Sequence, residues 1–520
     1  MISKIGVENR NLNSIRTTLP KNNNNESSPS FKGGGIWNAL LLGIQECEKN
    51  PMVNVAVIDM FSAILPRTFV ESLTNWFAGF EALRRESSGL IVNCLIPGGV
   101  AWLAALGLNK SIMPENTNMA GCWADHTLIQ RASELYTKSN ADDKVKDSLK
   151  EILGNIEGVH GKEKVLFKDA NALGEKEVAA IADKLKELSL KDGDIKKDIK
   201  KIAKEIAEKT HVFENVKVKG GKEVKASTVE TLLMDSVKFF REFQKAGKDV
   251  TMEQFANQSK KLVKGKSILG LAIILPLAAS MQTINRWITK KISGVDGAPI
   301  YDDFGKEQNE EVRKKSQEGL LKQKIISISS MIGVSLLSMM KKPSWNMLEF
   351  KGWFPTMDQA RVISTTTFAS RMAVADDKNE LAEATVRDIA TFSGLYFLGD
   401  YAGKAAATII EKKTGVQLLN DTKPLQGNEN VLKKFWHWVK DVNIKSSEEV
   451  IGKRAVNLRS ACQVANLGVS LILLGLIVPI WTRNATKKKH AEAIRLAQEN
   501  KGIEVNSKDE NRVDVHLQTV

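Results

Sequence analysis

The sequence predicts an all-α fold that combines polytopic or re-entrant membrane helices with a charged soluble helical insert and at most one minor β-hairpin. Three observations lead to this prediction. Residues 460–482 carry no charged side chain, and two earlier blocks, 89–108 and 267–285, are also uncharged. Apolar residues make up only 42% of the chain, so the hydrophobicity is concentrated in these blocks. Residues 138–266, by contrast, are dense in Lys, Asp and Glu.

The block at residues 460–482 gives the clearest membrane signal. A helix rises about 1.5 Å per residue, so this block would be about 34 Å long and exceed the roughly 30 Å apolar thickness of a bilayer. Trp481 and Arg483 end the block, where aromatic and cationic side chains favour the membrane interface. We therefore predict a membrane helix here, a membrane localisation, and the lipid bilayer as a partner.

The N-terminal part of the chain divides into a polar head and an apolar region. Residues 1–35 contain an Asn run and a Gly-rich end, which predicts a disordered head. Residues 36–137 are interpreted as an apolar helical region. Pro97, Gly98 and Gly99 lie within its uncharged block, and this combination favours a kink or a break. The block is therefore expected to form either a span or a re-entrant hairpin.

Residues 138–266 have the pattern of a small soluble domain. Two apolar stripes at helical spacing, separated by Asp192-Gly193-Asp194, predict an antiparallel helical hairpin. Valines and an alanine on either side of Gly220-Gly221 predict a β-hairpin, and Ser227 and Glu230 a capping box for the helix that follows. The apolar stripe residues are Val178, Ile181, Leu185 and Leu188, then Ile195, Ile199, Ile202 and Ile206.

The remaining segments continue the helical pattern. Residues 267–345 are predicted to be a pair of membrane helices with a polar linker, and residues 346–459 a helical region. Within the latter, Asp376 or Asp377 can cap one long amphipathic helix that Gly415 ends. Residues 483–520 form a polar tail. Basic residues flank the apolar blocks on both sides, so the charge distribution does not select one orientation in the membrane.

The composition argues against one class of partner and against disulfide bonds. The chain of 520 residues has 75 Lys and Arg against 61 Asp and Glu, a net charge of +14. Because no Arg-rich tract or aromatic stacking motif accompanies this charge, we expect no nucleic-acid partner. The four cysteines are widely spaced, which argues against a disulfide framework.

Two residue pairs are the candidates for a functional site. Cys122 and His126 are four positions apart, so on a helix they would share one face and could form a thiolate–imidazole pair. Asp400 and Lys404 have the same spacing in an otherwise apolar stretch, where two charges would pair or line a polar path. A closed zinc site needs four ligands, and the sequence offers no second Cys/His pair, so we expect neither a metal nor a cofactor.

These features favour a non-catalytic function. We expect a membrane-embedded scaffold or adaptor that binds another protein through residues 138–266, and no enzyme, because no catalytic signature is present. Three alternatives stay open. A transporter or channel would use Asp400 and Lys404, and an enzyme would use Cys122 and His126. A soluble all-α protein would bury the apolar blocks as core helices.

Overall fold

The computed structural model describes residue 43 and residues 50–73, 76–293, 319–339, 345–427 and 429–482, together with residues 484, 485 and 488. The predicted head at 1–35, the linker at 294–318 and most of the tail at 483–520 lie outside these described residues. Within them the chain is mainly helical, with two small antiparallel sheets, which confirms the predicted all-α class.

The helices and strands are numbered here in chain order. The helices are α1 (Pro51–Ser72), α2 (Trp76–Ile112), α3 (His126–Lys138), α4 (Lys144–Gly154), α5 (Gly174–Leu190), α6 (Lys196–Thr210), α7 (Val229–Lys245), α8 (Met252–Ser293), α9 (Leu320–Met339), α10 (Met357–Ala373), α11 (Lys378–Ser393), α12 (Gly399–Thr414), α13 (Val431–Asp441) and α14 (Lys453–Thr482). The strands are β1 (Ile156–His160), β2 (Glu163–Leu166), β3 (Glu214–Val218), β4 (Val224–Thr228), β5 (Leu419–Asp421) and β6 (Val442–Ile444).

Five helices, α1, α2, α8, α9 and α14, are long and apolar enough to cross a membrane. They are poorly covered by the rest of the protein: in α9 only 11% of the apolar window is buried, and Leu337 is 75% exposed. Such a surface is unfavourable in water and favourable among acyl chains. The five helices therefore fit a membrane protein, and among the described residues most of each apolar window is not buried as it would be in the core of a soluble protein.

The block at 89–108 runs through α2 without the break expected at Pro97. A π-helical turn, Ile91–Leu95, comes immediately before the proline and widens the helix where a backbone donor is missing. The chain therefore forms one continuous helix and no re-entrant hairpin at this place. Pro276 likewise lies inside α8, which continues from the charged segment past residue 266 into the apolar block.

The charged insert shares one apolar core with the residues just before it. This core is built from α3 to α7, the N-terminal turns of α8 and a four-stranded antiparallel sheet. The predicted β-hairpin is present as β3 and β4, with Val216 opposite Ala226 and Val218 opposite Val224. The sheet is larger than that hairpin, because β1 pairs with β3 and carries β2 on its other edge. Its extra strands are only five and four residues long, and their sequences lack the apolar alternation that marks a strand.

The predicted helical hairpin corresponds to α5 and α6. Lys209 pairs with Glu177 and Lys184 with Glu205 at 3.9 Å, an order that requires antiparallel helices. All eight stripe residues are buried. The capping box of α7 is shifted by one position from the expected Ser227 and Glu230: the side chain of Thr228 accepts from the backbone N–H of Thr231, and Thr231 accepts in return.

The predicted long helix between Asp377 and Gly415 is formed by α11 and α12, which a π-helical turn, Gly394–Leu398, joins without interruption. Asp377 accepts two hydrogen bonds from the first turn, and Gly415 ends the helix at a φ of 71°. Beyond it, β5 pairs with β6, and α13 connects these two strands before α14 begins.

Candidate functional site

The structure separates Cys122 from His126. Asp125 caps the N-terminus of α3, so Cys122 lies outside the helix and the two side chains do not share a helical face. Burial raises the pKa of the Cys122 thiol to about 12, which keeps it protonated. His126 Nδ1 instead contacts the buried carboxylate of Glu349 at 2.8 Å. The expected thiolate–imidazole pair is therefore not formed.

The segment around Cys122 joins the insert to the membrane helices. The ammonium of Lys266, on α8, is fully buried, donates to the carbonyl of Cys122 at 2.9 Å and lies 4.3 Å from the ring centroid of Trp123. Lys351 Nζ contacts Asp125 Oδ2 at 2.7 Å. Although burial opposes ionisation, this lysine holds the pKa of Asp125 below its usual range. These contacts fix residues 122–125, which pack in the same core as the insert, against α8 and the segment before α10.

Asp400 and Lys404 also contact different partners. Lys404 is buried and donates to the carbonyls of Trp438 and Val439, each at 3.1 Å, at the end of α13. Asp400 is exposed and accepts from the side-chain amide of Asn466 on α14 at 3.4 Å. Burial lowers the pKa of Lys404, while its carbonyl partners satisfy its hydrogen-bonding needs. This arrangement gives Lys404 a structural partner on α13 and does not support a shared transport path.

A cavity of about 600 Å³ lies where the β1–β2 turn of the insert meets the β5–β6 pair. Its wall carries both cationic and acidic side chains, which suits a polar ligand with both charges. Lys445 is 1% exposed and lies behind this wall, with Nζ 3.5 Å from His160 Nδ1 and 3.4 Å from Gln417 Oε1. The polar and aromatic lining residues are His160, Lys162, Glu163, Glu411, Gln417, Asp421 and Trp438.

Two basic groups beside this cavity are shifted toward their neutral forms. Burial and the nearby ammonium of Lys445 lower the pKa of His160, whose ring lies 4.9 Å from that of His211. Burial also lowers the pKa of Lys445. In the part of the chain that the structure describes, no group of three His, Cys, Asp or Glu side chains is placed to hold a metal ion. The wall of the cavity therefore offers hydrogen-bonding and charged groups.

A buried carboxylate accepts a hydrogen bond from strand β5 beside this cavity. Glu449 is 3% exposed; its Oε1 accepts from the backbone N–H groups of Phe213 and Glu214, and its Oε2 from Ser446 N–H and the Asn420 amide. Burial raises the pKa of Glu449, and the three backbone N–H donors and the nearby ammonium of Lys445 oppose this effect. Glu449 thus connects the insert to the segment that leads into α14.

The sequence analysis did not predict a buried ionic network that joins α1, α2, α10 and α11. Arg67 of α1 pairs with Glu86 of α2 at 3.1 Å, and Glu86 also meets Arg371 of α10 at 3.5 Å. Arg371 and Arg387 share the carboxylate of Asp388, at 2.8 and 3.2 Å. One signal was present in the sequence, because ionisable residues inside apolar helices are usually paired and functional.

The whole chain was compared with known proteins. The comparisons with protein-family models, with curated proteins and with solved structures gave no match.

Proposed function

We propose that this protein is a membrane-embedded scaffold or adaptor that binds a partner protein through its charged insert. The observation that carries the proposal is an exposed basic face on α6. Lys197, Lys200, Lys201 and Lys204 follow one another at helical spacing on the side opposite the buried isoleucines, and all four are exposed. A row of ammonium groups on a folded helix complements an acidic protein surface.

The way in which the insert is attached to the membrane helices supports this function. A scaffold has to present its binding surface in a defined direction, and two buried polar contacts hold the insert against the helices. One is Lys266 of α8 with the carbonyl of Cys122, whose side chain lies in the same apolar core as the insert, and the other is Glu449 with the backbone of Phe213. Buried, fully hydrogen-bonded groups fix one arrangement, because any displacement leaves polar atoms without partners.

The membrane location has a direct test. Cell membranes that contain the protein are extracted with alkaline carbonate, which removes peripheral proteins and leaves inserted ones in the pellet. Because five apolar helices expose large apolar surfaces, we expect the protein to stay with the pellet. Release of the full-length protein into the supernatant would contradict the membrane location.

The partner surface is tested by reversing charge in the full-length protein. Replacing Lys197, Lys200 and Lys201 with Glu should lower the recovery of co-purifying proteins from detergent extracts by about tenfold or more, because like charges oppose binding. The matched control replaces three other exposed lysines of the insert with Glu and makes the same change in net charge. These control residues are Lys138, Lys164 and Lys248. Equal recovery with both variants would refute the proposed α6 surface.

A further inference from the structure

The helix α13 has an apolar face that the other described residues of the chain leave uncovered. None of its residues is buried. Val431 is 82% exposed, Leu432 71%, Phe435 54% and Trp436 53%. At about 100° per residue these four side chains lie on one side of the helix, and they are called the α13 apolar face below. So much apolar surface on a single short helix requires a cover.

Other side chains of α13 attach the helix to the protein by specific contacts. Trp438 Nε1 donates to the hydroxyl of Thr408 at 3.1 Å, and His437 Nε2 contacts Asp421 Oδ1 at 2.9 Å. Lys404 donates to the last carbonyls of the helix. The helix is therefore held in place, and its apolar face points away from the body of the protein.

The level of α13 along the membrane helices follows from its contact with α12. Lys404 is next to Gly403, and a Cβ at Gly403 would lie 3.2 Å from the carbonyl oxygen of Cys462 on α14. Cys462 is at the start of the uncharged segment 460–482. The C-terminal end of α13, which contacts Lys404, therefore lies beside the point where the apolar part of α14 begins. In a bilayer that is the level of the lipid headgroups.

Basic residues edge the α13 apolar face. Lys433 and Lys440 follow it on one side and Lys434 lies on the other, and all three are exposed. Lysines beside an apolar face and a tryptophan within it are typical of helices that lie in the membrane interface, where the ammonium groups contact anionic headgroups. The exposed Lys453 and Arg454 at the start of α14 add positive charge to the same region.

We propose that α13 lies in the plane of the membrane interface, with its apolar face among the upper acyl chains and its lysines on anionic lipid headgroups. The proposal rests on the membrane location stated above, and it is independent of a protein partner at α6. It identifies a surface that binds lipid without crossing the bilayer. The occupant is a phospholipid bilayer that contains acidic lipids.

Photo-crosslinking in the full-length protein tests this inference. The photoreactive residue benzoylphenylalanine replaces Trp436, and the protein is reconstituted in vesicles of phosphatidylcholine and phosphatidylglycerol. We expect an adduct with lipid at Trp436. The same replacement at Ile273, which is 52% exposed on α8, provides the positive control, and Leu190, 61% exposed on the insert, the negative control.

Each outcome of the crosslinking has a defined meaning. A lipid adduct at Ile273 without one at Trp436 overturns the α13 proposal alone, as does a protein adduct at Trp436 with a second copy or another chain. No lipid adduct at either position overturns the membrane location and this proposal together. With lipid adducts at both, the proposal stands.

The lipid class is tested by removing the lysines. Replacing Lys433, Lys434 and Lys440 with Gln should lower the enrichment of phosphatidylglycerol in the Trp436 adduct by about fivefold or more, because each surface lysine adds attraction to anionic lipid. The control triple, Lys197, Lys200 and Lys201 to Gln, should leave the enrichment unchanged. Equal enrichment in both triples would overturn the role of the α13 lysines.

Discussion

Glu449 Oε1 accepts a hydrogen bond from the backbone N–H of Phe213 at 3.1 Å, although the two residues are 236 positions apart. The same carboxylate accepts from Glu214, Asn420 and Ser446. One buried side chain therefore determines how the insert sits on the segment before α14. A single substitution at Glu449 should reveal how much of the arrangement depends on it.

We expect Glu449→Ala to lower the free energy of unfolding by about 3 kcal/mol or more, because each buried donor left unsatisfied costs about 1–3 kcal/mol. Glu449→Gln keeps an acceptor oxygen and should lose less. The measurements are the melting temperature in detergent and hydrogen exchange at the amides of Phe213 and Glu214, which should become faster. The control is the neighbouring Glu448→Ala; an equal loss in both alanine variants would contradict this role.

Asp235 should make the stability of the insert depend on pH. Burial raises its pKa from 3.8 to about 6, despite the nearby ammonium of Lys238. The pKa of Asp235 is higher in the folded state than in the unfolded state. The stabilisation of the folded state by the protonated carboxyl is therefore fully present below about pH 4 and is lost as the pH rises through about 6. Asp235→Asn should therefore be more stable than the wild type by about 2 kcal/mol near pH 7.5 and equal to it near pH 4.

This prediction is checked by comparing melting temperatures of the full-length protein in detergent at the two pH values. Asn can still accept the hydrogen bond that Trp123 N–H donates to Asp235 Oδ1 at 3.1 Å, so the variant removes mainly the charge. The exposed Asp142, replaced by Asn, is the control for a general effect of net charge. A gain at pH 7.5 that persists unchanged at pH 4 would contradict the assignment.

Much of the fold could be predicted because it depends on local chemistry. The stripes that include Leu185 and Ile199 specify helix faces, the glycines at 220–221 specify a turn, and Asp377 and Gly415 specify helix ends. Each of these signals lies within a few residues of the structure that it determines. They remain informative whatever the rest of the chain does.

The site contacts could not be predicted, because their partners are distant in sequence. In the sequence, Lys266 is a basic residue beside the uncharged block 267–285. In the structure it is fully buried and donates to the carbonyl of Cys122, 144 positions away. The helical spacing of Cys122 and His126 suggested a pair only on the assumption that both lie in one helix, and Asp125 begins the helix between them. Periodicity does not identify where a helix starts within a few residues.

The ionic network predicts a large effect of Asp388. Its carboxylate is 1% exposed and is shared by Arg371 and Arg387. Asp388→Asn leaves two buried guanidinium groups without their common anion, and breaking such a pair typically costs about 3–5 kcal/mol. We expect a clear drop in melting temperature and in the yield of folded protein. Glu208→Gln, which breaks the exposed pair with Lys204, should change little; a similar loss in both variants would contradict the importance of the network.

Gly98 and Gly99 are adjacent in α2 but should respond in opposite ways to alanine. A Cβ at Gly98 would lie 1.8 Å from the backbone carbonyl oxygen of Trp353, so α2 and the segment before α10 would have to separate. A Cβ at Gly99 meets none of the described residues within 4 Å. Gly98→Ala should therefore lower the melting temperature strongly, with a loss on the order of 2 kcal/mol or more. Gly99→Ala should raise it slightly, because alanine in a helix is favoured over glycine by about 0.5–1 kcal/mol.

The two single variants are measured side by side in the same detergent. If both glycines served only to make the helix flexible beside Pro97, the two alanines would have the same effect, and the close approach of α2 to Trp353 would not be the reason for glycine at residue 98.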